Sequence, residues 1–309
     1  MKYALIADIH GNLPALEAVL KDAAAQGADG YWLAGDYIIS APWPEETADR
    51  LIGLKNARMI CGNEERYLHV PDGDDGQFAV SRFCRDALGP ALIAFFDALP
   101  DKAEFDACGV RVHMAHSSEA FIGDSETGTF STAKLPIRYG DRPVPKEERL
   151  GDIRNALASD PRIAALRPGV YIFGHTHNQW HARFGDVLLV NPGSCGLPLD
   201  MGEGGAAYSL LTIENGRAEV EERRAEYDVE AVIAHAKTTP MYAAAHIWCE
   251  VIFREWRMRR ENIMYFLRYA EHFAQRTGDS RRPFAKDTWE HAFAAWTAEG
   301  CPIVPAQEN

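Results

Sequence analysis

The stretch KYALIADIHGN, residues 2–12, decides how the chain is read. Lys2–Ala7 is a short apolar run that predicts a strand, and Asp8–Asn12 is a polar loop at its carboxyl end. Pro14 then opens a segment with Leu13, Leu16, Val19 and Leu20 at helical spacing. The same unit repeats. Gly30–Ala34 predicts a strand that stops at Gly35–Asp36, and Pro44-Glu45-Glu46 suits the first turn of a helix. Ala57–Cys61 predicts a third strand, closed by Gly62–Asn63. The order is β-α-β-α-β with polar residues at the strand ends, where open α/β sheets place their ligands.

Further along, residues 77–99 contain helix, and Phe105–Ala115 predicts one strand ending in His116. Ser117–Glu148 is long, polar and rich in Gly, Ser, Thr and Pro; loops of that length are functional or disordered. Gly151–Ala158 looks helical, and the strands Gly169–Phe173 and Asp186–Val190 each run into a polar motif. Ala206–Ile213 and Arg217–Arg224 resemble a hairpin turning at Asn215–Gly216. After Tyr227 the pattern becomes helical over residues 228–276, with a break around Lys237–Pro240, and again over 286–299. The aromatics of that stretch, Trp248, Trp256, Phe266, Trp289 and Trp296 among them, read as the core of a helical cap, with a substrate wall or dimer surface as the alternative.

Composition narrows the classes. The chain has 309 residues, 47% hydrophobic and 25% charged, as in a globular protein. Its formal net charge of -13 repels phosphate backbones at long range, so duplex nucleic acid is not an expected partner. The six cysteines, Cys61, Cys84, Cys108, Cys195, Cys249 and Cys301, form no CxxC pair. Asp8 and His10 interrupt the opening run, which argues against a secretory leader, and no stretch of 18 apolar residues occurs. Reduced thiols, a cytoplasmic location and no membrane partner are therefore expected. Neither Cys61 nor Cys195 has a paired base, so a covalent thiol mechanism is not expected.

Six short segments carry the chemistry: DIHGN at 8–12, GD at 35–36, GNEE at 62–65, AHSS at 115–118, GHTH at 174–177 and NPGS at 191–194. Asp8 and His10, like His175 and His177, alternate on what is read as extended backbone, so each pair presents both side chains to one side. Asp36 and Asn63 each follow a glycine, and His116 ends a strand. A lone histidine among these would be a structural one. Four histidines, two aspartates and an asparagine at strand ends are instead a mixed nitrogen and oxygen ligand set. Seven ligands are too many for one ion and suit two, about 3.5–4 Å apart across a bridging carboxylate. His69, His113, His181, His235, His246, His272 and His291 lack this context.

With those blocks in that order over residues 5–196, the chain resembles the calcineurin-like metallophosphoesterase superfamily, in particular its small bacterial branch. The resemblance implies an α+β fold, a four-layer αββα sandwich of two mixed sheets flanked by helices. It implies a catalytic domain over 1–226, and the change of pattern after Tyr227 predicts a helical extension over 227–309 that packs on or caps it. It implies a first metal shell of Asp8, His10, Asp36 and His177 and a second of Asp36, Asn63, His116 and His175. Asp36 would bridge, and Asn191 and Ser194 would brace the site. The cofactors implied are two divalent ions, manganese first, with iron, zinc, nickel or cobalt as alternatives. The activity implied is hydrolysis of a small phosphorylated substrate, a phosphodiester first, by in-line attack of an activated water, with Asp36, Asn63, His116 and Glu64 closest to the chemistry. A phosphomonoesterase, a protein or nucleotide phosphatase, and a non-catalytic metal-binding scaffold are the competing readings. A homo-oligomer through the C-terminal helices is compatible with each.

One block departs from the family. Its usual third block is GNH followed by an acid, and here Glu64 stands at the histidine and Glu65 at the acid. A carboxylate beside a phosphate dianion is unfavourable, so the departure favours diesters with good leaving groups. Glu64 could instead point into solvent or pair with Arg66. Arg138, Arg142 and Lys146 in the long loop are either solvated or grip a second anionic group.

Overall fold

Ala4, Leu5 and Ile6 are buried on both sides of their strand, as a parallel strand between two layers requires. The computed structural model describes residues 1–140, 142 and 144–304. Among them the strands run β1 Lys2–Ile6, β2 Gly30–Leu33, β3 Ala57–Met59, β4 Lys102–Ala107, β5 Val110–Ala115, β6 Gly169–Ile172, β7 Trp180–Phe184, β8 Val187–Asn191, β9 Ala206–Glu214 and β10 Arg217–Ala225. They form two five-stranded sheets, ordered β10-β9-β1-β2-β3 and β4-β5-β6-β8-β7. Each is mixed: β1, β2 and β3 are parallel with Leu5 opposite Trp32, as are β5, β6 and β8, while β9, β10, β4 and β7 join antiparallel. Leu5, Trp32, Met114, Ile172, Val190 and Leu211 fill the space between the sheets. Each such side chain contributes about 1.5–3 kcal/mol by leaving water.

Helices cover both outer faces and complete the αββα sandwich. Leu13–Ala25, Pro44–Ile52 and Ala79–Asp97 lie over the first sheet, the last broken at Gly89–Pro90. The first starts where Asn12 accepts from Ala15 N at 3.2 Å, and its stripe of Leu16, Val19 and Leu20 is buried. Helix Lys146–Leu157 packs with Phe130, Phe173 and Trp180 over the second sheet.

Four further helices, Val229–Ala236, Pro240–Met258, Ile263–Thr277 and Lys286–Ala298, follow β10. Val232, Met241, Phe253 and Trp256 join the same apolar cluster as Leu16 and Phe96, so the first two of these helices pack directly on the sandwich. Phe266, Trp289 and Trp296 pack on one another in a separate cluster, with ring centroids 4.6 and 5.3 Å from Phe266. They are core residues rather than an aromatic surface. None of the described helices is long and apolar enough to cross a membrane.

Four local readings change. Residues 102–115 are a hairpin, not one strand from Phe105: Cys108 (φ 48°) and Gly109 (φ 79°) make a turn of the kind that joins two-residue hairpins. Trp180–Phe184 is a strand that the sequence did not signal, because it starts two residues after GHTH and its outward positions are polar. The long loop contains helical turns at Glu119–Ile122, Thr127–Phe130 and Leu135–Tyr139, and the next helix begins at Lys146 rather than Gly151, with Glu147 and Glu148 in its first turn. A second break at 259–262, where Arg259 is left-handed (φ 50°), divides the helical stretch.

Candidate metal centre

Every candidate donor lies just beyond a strand end. Asp8 and His10 follow β1, Asp36 follows β2, Asn63 follows β3, His116 follows β5, and His175 and His177 follow β6. The backbone there is not extended, which corrects the alternation argument. Asp8 (φ 53°), His10 (55°), Asp36 (56°), His175 (71°) and His177 (53°) are all left-handed. That conformation costs a non-glycine residue about 1–3 kcal/mol, so the surroundings must over-determine it. They do: Ile9 N and His10 N both donate to Asp36 O, at 2.7 and 3.1 Å, and Gly11 N donates to Tyr37 O at 2.8 Å. The loops touch closely enough that a Cβ on Gly62 would overlap Asp36 N and Oδ1, and one on Gly35 would sit 2.7 Å from His116 Nδ1.

The side chains gather into neighbouring donor groups. Donor atoms of Asp8, His10 and His177 lie within 4.8 Å of one another, as do those of Asp36, His116 and His175. A third such group is His10, Asp36 and Glu64. His177 Nδ1 is 2.7 Å from Leu197 O and His116 Nδ1 2.7 Å from Ala34 O, contacts that fix each ring and turn its Nε2 inward. His10 Nε2 and His177 Nε2 face each other at 3.1 Å. His116 Nε2 is 3.2 Å from Asp36 Oδ2, and Asn63 Oδ1 is 3.0 Å from His116 Nε2 and 2.8 Å from His175 Nδ1. The structure thus brings Asp8, His10, Asp36, Asn63, His116, His175 and His177 together.

Glu64 points inward: its Oε2 lies 2.8 Å from His10 Nδ1, while Arg66 pairs with Asp101 at 3.1 Å. Glu64 N also donates to Asp36 Oδ1 at 2.8 Å. Glu65 turns the other way. Its carboxylate accepts from Asp36 N, Tyr37 N and Gly62 N at 3.1, 2.7 and 2.7 Å and ties the second strand-end loop to the third. Ser194 Oγ donates to Asp8 O at 2.7 Å, and Asn191 Nδ2 donates to Gly174 O and Thr176 Oγ1, each at 3.0 Å. Sequence reasoning missed Glu126, a buried acid from the long loop that takes the Thr176 hydroxyl and the Trp180 indole N–H at 2.8 and 2.7 Å.

The electrostatics show what this cluster needs. Burial pushes the Asp8 carboxyl up to about 7 against the pull of His116. Burial would lower His10 and His116, but Glu64 and Asp36 respectively outweigh it and raise them to about 9 and about 10. Burial also acts to raise Asp36, yet His116 and His10 hold it below the usual carboxylate range. His177 is lowered well below its ordinary value by burial and by the charge on His10. Buried carboxylates thus require positive charge at this spot, supplied by protons on His10 and His116 or by cations. Inward-facing imidazole nitrogens among carboxylate oxygens are the donor set of divalent first-row metals, so the residues fit such ions.

A cavity of about 390 Å³ opens onto these groups. Its lining combines His10, Asp36, Asn63, Glu64, His175 and His177 of the donor cluster, Thr127 and Ser131–Ala133 of the long loop, and Trp248, Ile252, Glu255, Glu261, Ile263 and Arg268 of the C-terminal region. Ser40, in the loop after β2, also takes part. Arg138, Arg142 and Lys146 do not line it; they pair with Asp152, Glu148 and Glu222 at 3.1, 2.5 and 3.2 Å. Glu255 and Glu261 were also missed. The available signal was position: Glu255 falls four and three residues after buried Val251 and Ile252, on the apolar face of its helix.

Residues 1–216 match the calcineurin-like phosphoesterase superfamily domain. The chain therefore belongs to that superfamily and is a metallophosphoesterase, a hydrolase of phosphate esters. A metallophosphoesterase from Sphaerobacter thermophilus has a TM-score of 0.59 and 20% identity, covering 84% of this chain and 100% of that one. A hypothetical protein from Pyrococcus horikoshii gives 0.59 and 18%, covering 81% and 97%. At those identities they show a common fold. An uncharacterized protein of Methanocaldococcus jannaschii is 25% identical over 239 residues, 74% of this chain and 88% of its own length.

Proposed function

We propose that the protein is a dinuclear phosphodiesterase acting on a small phosphorylated substrate in the cytoplasm, with manganese as its preferred metal. The observation that carries this reading is the position of Asp36, whose carboxylate takes part in donor groups on both sides, one with His116 and His175 and one with His10 and Glu64. One ion would be held by Asp8, His10, Asp36 and His177, the other by Asp36, Asn63, His116 and His175. Two such ions lower the pKa of water and neutralise phosphoryl oxygens.

The chain's own residues do the rest. The left-handed loops aim the donors, and Leu197 O and Ala34 O hold the His177 and His116 rings in orientation. Residues 1–226 act as the catalytic domain, and 227–309 as a cap whose helices wall the cavity and limit water. Glu64 places a carboxylate on the cavity surface, which disfavours a monoester dianion relative to a diester monoanion. The test is hydrolysis of bis(p-nitrophenyl) phosphate by metal-free protein titrated with Mn²⁺. Activity should rise with metal. Saturable metal binding without turnover would instead support the scaffold reading.

A further inference from the structure

The cavity lining holds two further acids. Glu255 and Glu261, 0% and 5% exposed, come from helix Pro240–Met258 and the turn after it. Glu255 Oε1 accepts from Asn262 N and Ile263 N at 2.6 and 2.7 Å, which caps helix Ile263–Thr277. Its Oε2 is buried and receives no donor. Glu261 Oε1 accepts from Met264 N at 2.8 Å, and its Oε2 takes the Thr132 hydroxyl at 3.3 Å. Burial, followed by the charge of Glu261, drives the Glu255 carboxyl well above its ordinary range. Neither can donate to the other unless it carries a proton.

Capping alone does not account for this pair, because one acceptor oxygen serves the helix and an uncharged side chain supplies it. A second buried carboxylate facing the first is costly without a cation or proton between them. Arg268, half-buried in the same lining, supplies one positive charge. Trp248, Ile252 and Ile263 add apolar surface to the same lining.

We propose that Glu255 and Glu261 bind a primary ammonium group on the alcohol part of the ester, so that the substrate class is an amino-alcohol phosphoester. The phosphoryl group then sits at the donor cluster and the ammonium between the two glutamates. Three ammonium hydrogens satisfy Glu255 Oε2 and the Glu261 carboxylate, and replace the proton the pair otherwise shares. The indole of Trp248 in the same lining favours a cation. This inference rests on the proposed phosphoesterase reading and names the ester that reading leaves open.

The test compares p-nitrophenyl 2-aminoethyl phosphate with p-nitrophenyl propyl phosphate on full-length, Mn²⁺-loaded protein. The esters differ by an ammonium in place of a methyl, and the 2-hydroxyethyl ester is the neutral donor control. The wild type should prefer the amino ester about tenfold or more in kcat/KM, chiefly through KM, and the preference should fall to within about twofold in Glu261→Gln. Glu255→Gln keeps an acceptor for Asn262 N and Ile263 N and should behave likewise. Calorimetric binding of 2-aminoethyl phosphate against propyl phosphate reads the same contrast without turnover, so an inactive protein still decides the matter. Equal handling of amino and propyl compounds by the wild type, equal handling of amino and hydroxyethyl compounds, or a preference surviving both substitutions would overturn the assignment.

Discussion

Glu65→Ala probes the device that holds the centre together. The Glu65 side chain is 3% exposed, and its carboxylate is the acceptor for three backbone N–H groups, those of Asp36, Tyr37 and Gly62. A buried donor deprived of its acceptor costs about 1–3 kcal/mol, so three set a ceiling near 9 kcal/mol. Water admitted into the space left by the side chain recovers part of this, and about 4 kcal/mol is expected, a large share of a domain stability of about 5–15 kcal/mol. Glu65→Gln keeps one acceptor oxygen and should lose about half as much. The assay is urea unfolding of metal-free protein at pH 8, read as a shift in midpoint at constant slope. Asp36 and the loop carrying Asn63 lose their tie as well, so Mn²⁺ affinity should fall about 10–100-fold. An alanine variant within about 1 kcal/mol of wild type, with metal affinity retained, would refute the bracing role.

Asp36→Asn should weaken metal binding more than a change at any other donor, since that carboxylate is the one donor assigned to both proposed ions; calorimetry with Mn²⁺ reads this. Glu64→His should shift kcat/KM toward monoesters in matched aryl mono- and diesters, and an unchanged ratio would remove Glu64 as the selector. His10 and His116 are raised from 6.5 to about 9 and about 10, so their contribution to stability is complete below pH 6.5 and is lost as pH rises through those values. Asp8 and Glu65, both raised to about 7, act in the same direction at lower pH, from about 4 upward. The melting temperature of metal-free protein should therefore fall between pH 6.5 and 10 while the increment from Mn²⁺ grows; a pH-independent increment would contradict this.

The sandwich was legible because β1 and β2 are buried on both faces and read as continuous apolar runs, each ended by a polar motif. The Asn215–Gly216 hairpin was legible from the one dipeptide that prefers its turn: both residues are left-handed, at φ 51° and 73°. The 102–115 hairpin was not, because Cys108 is no turn former and the exposed strand β4 has weak apolar content. The donor residues could be nominated from spacing, but their left-handed backbone could not, because nothing in Asp8 or His177 as a residue type announces it. It is imposed by hydrogen bonds between loops far apart in sequence. The same holds for Glu65 and Glu255. An acid in a sequence reads as solvated, and only the packing around it shows three amides at one and a facing carboxylate at the other.

The most direct test of the two-ion centre is elemental analysis of protein saturated with Mn²⁺ and freed of excess. The wild type should hold close to two ions per chain, and Asn63→Ala, which removes one donor from one group, should fall toward one. A plateau at a single ion in the wild type, unchanged in Asn63→Ala, would contradict it.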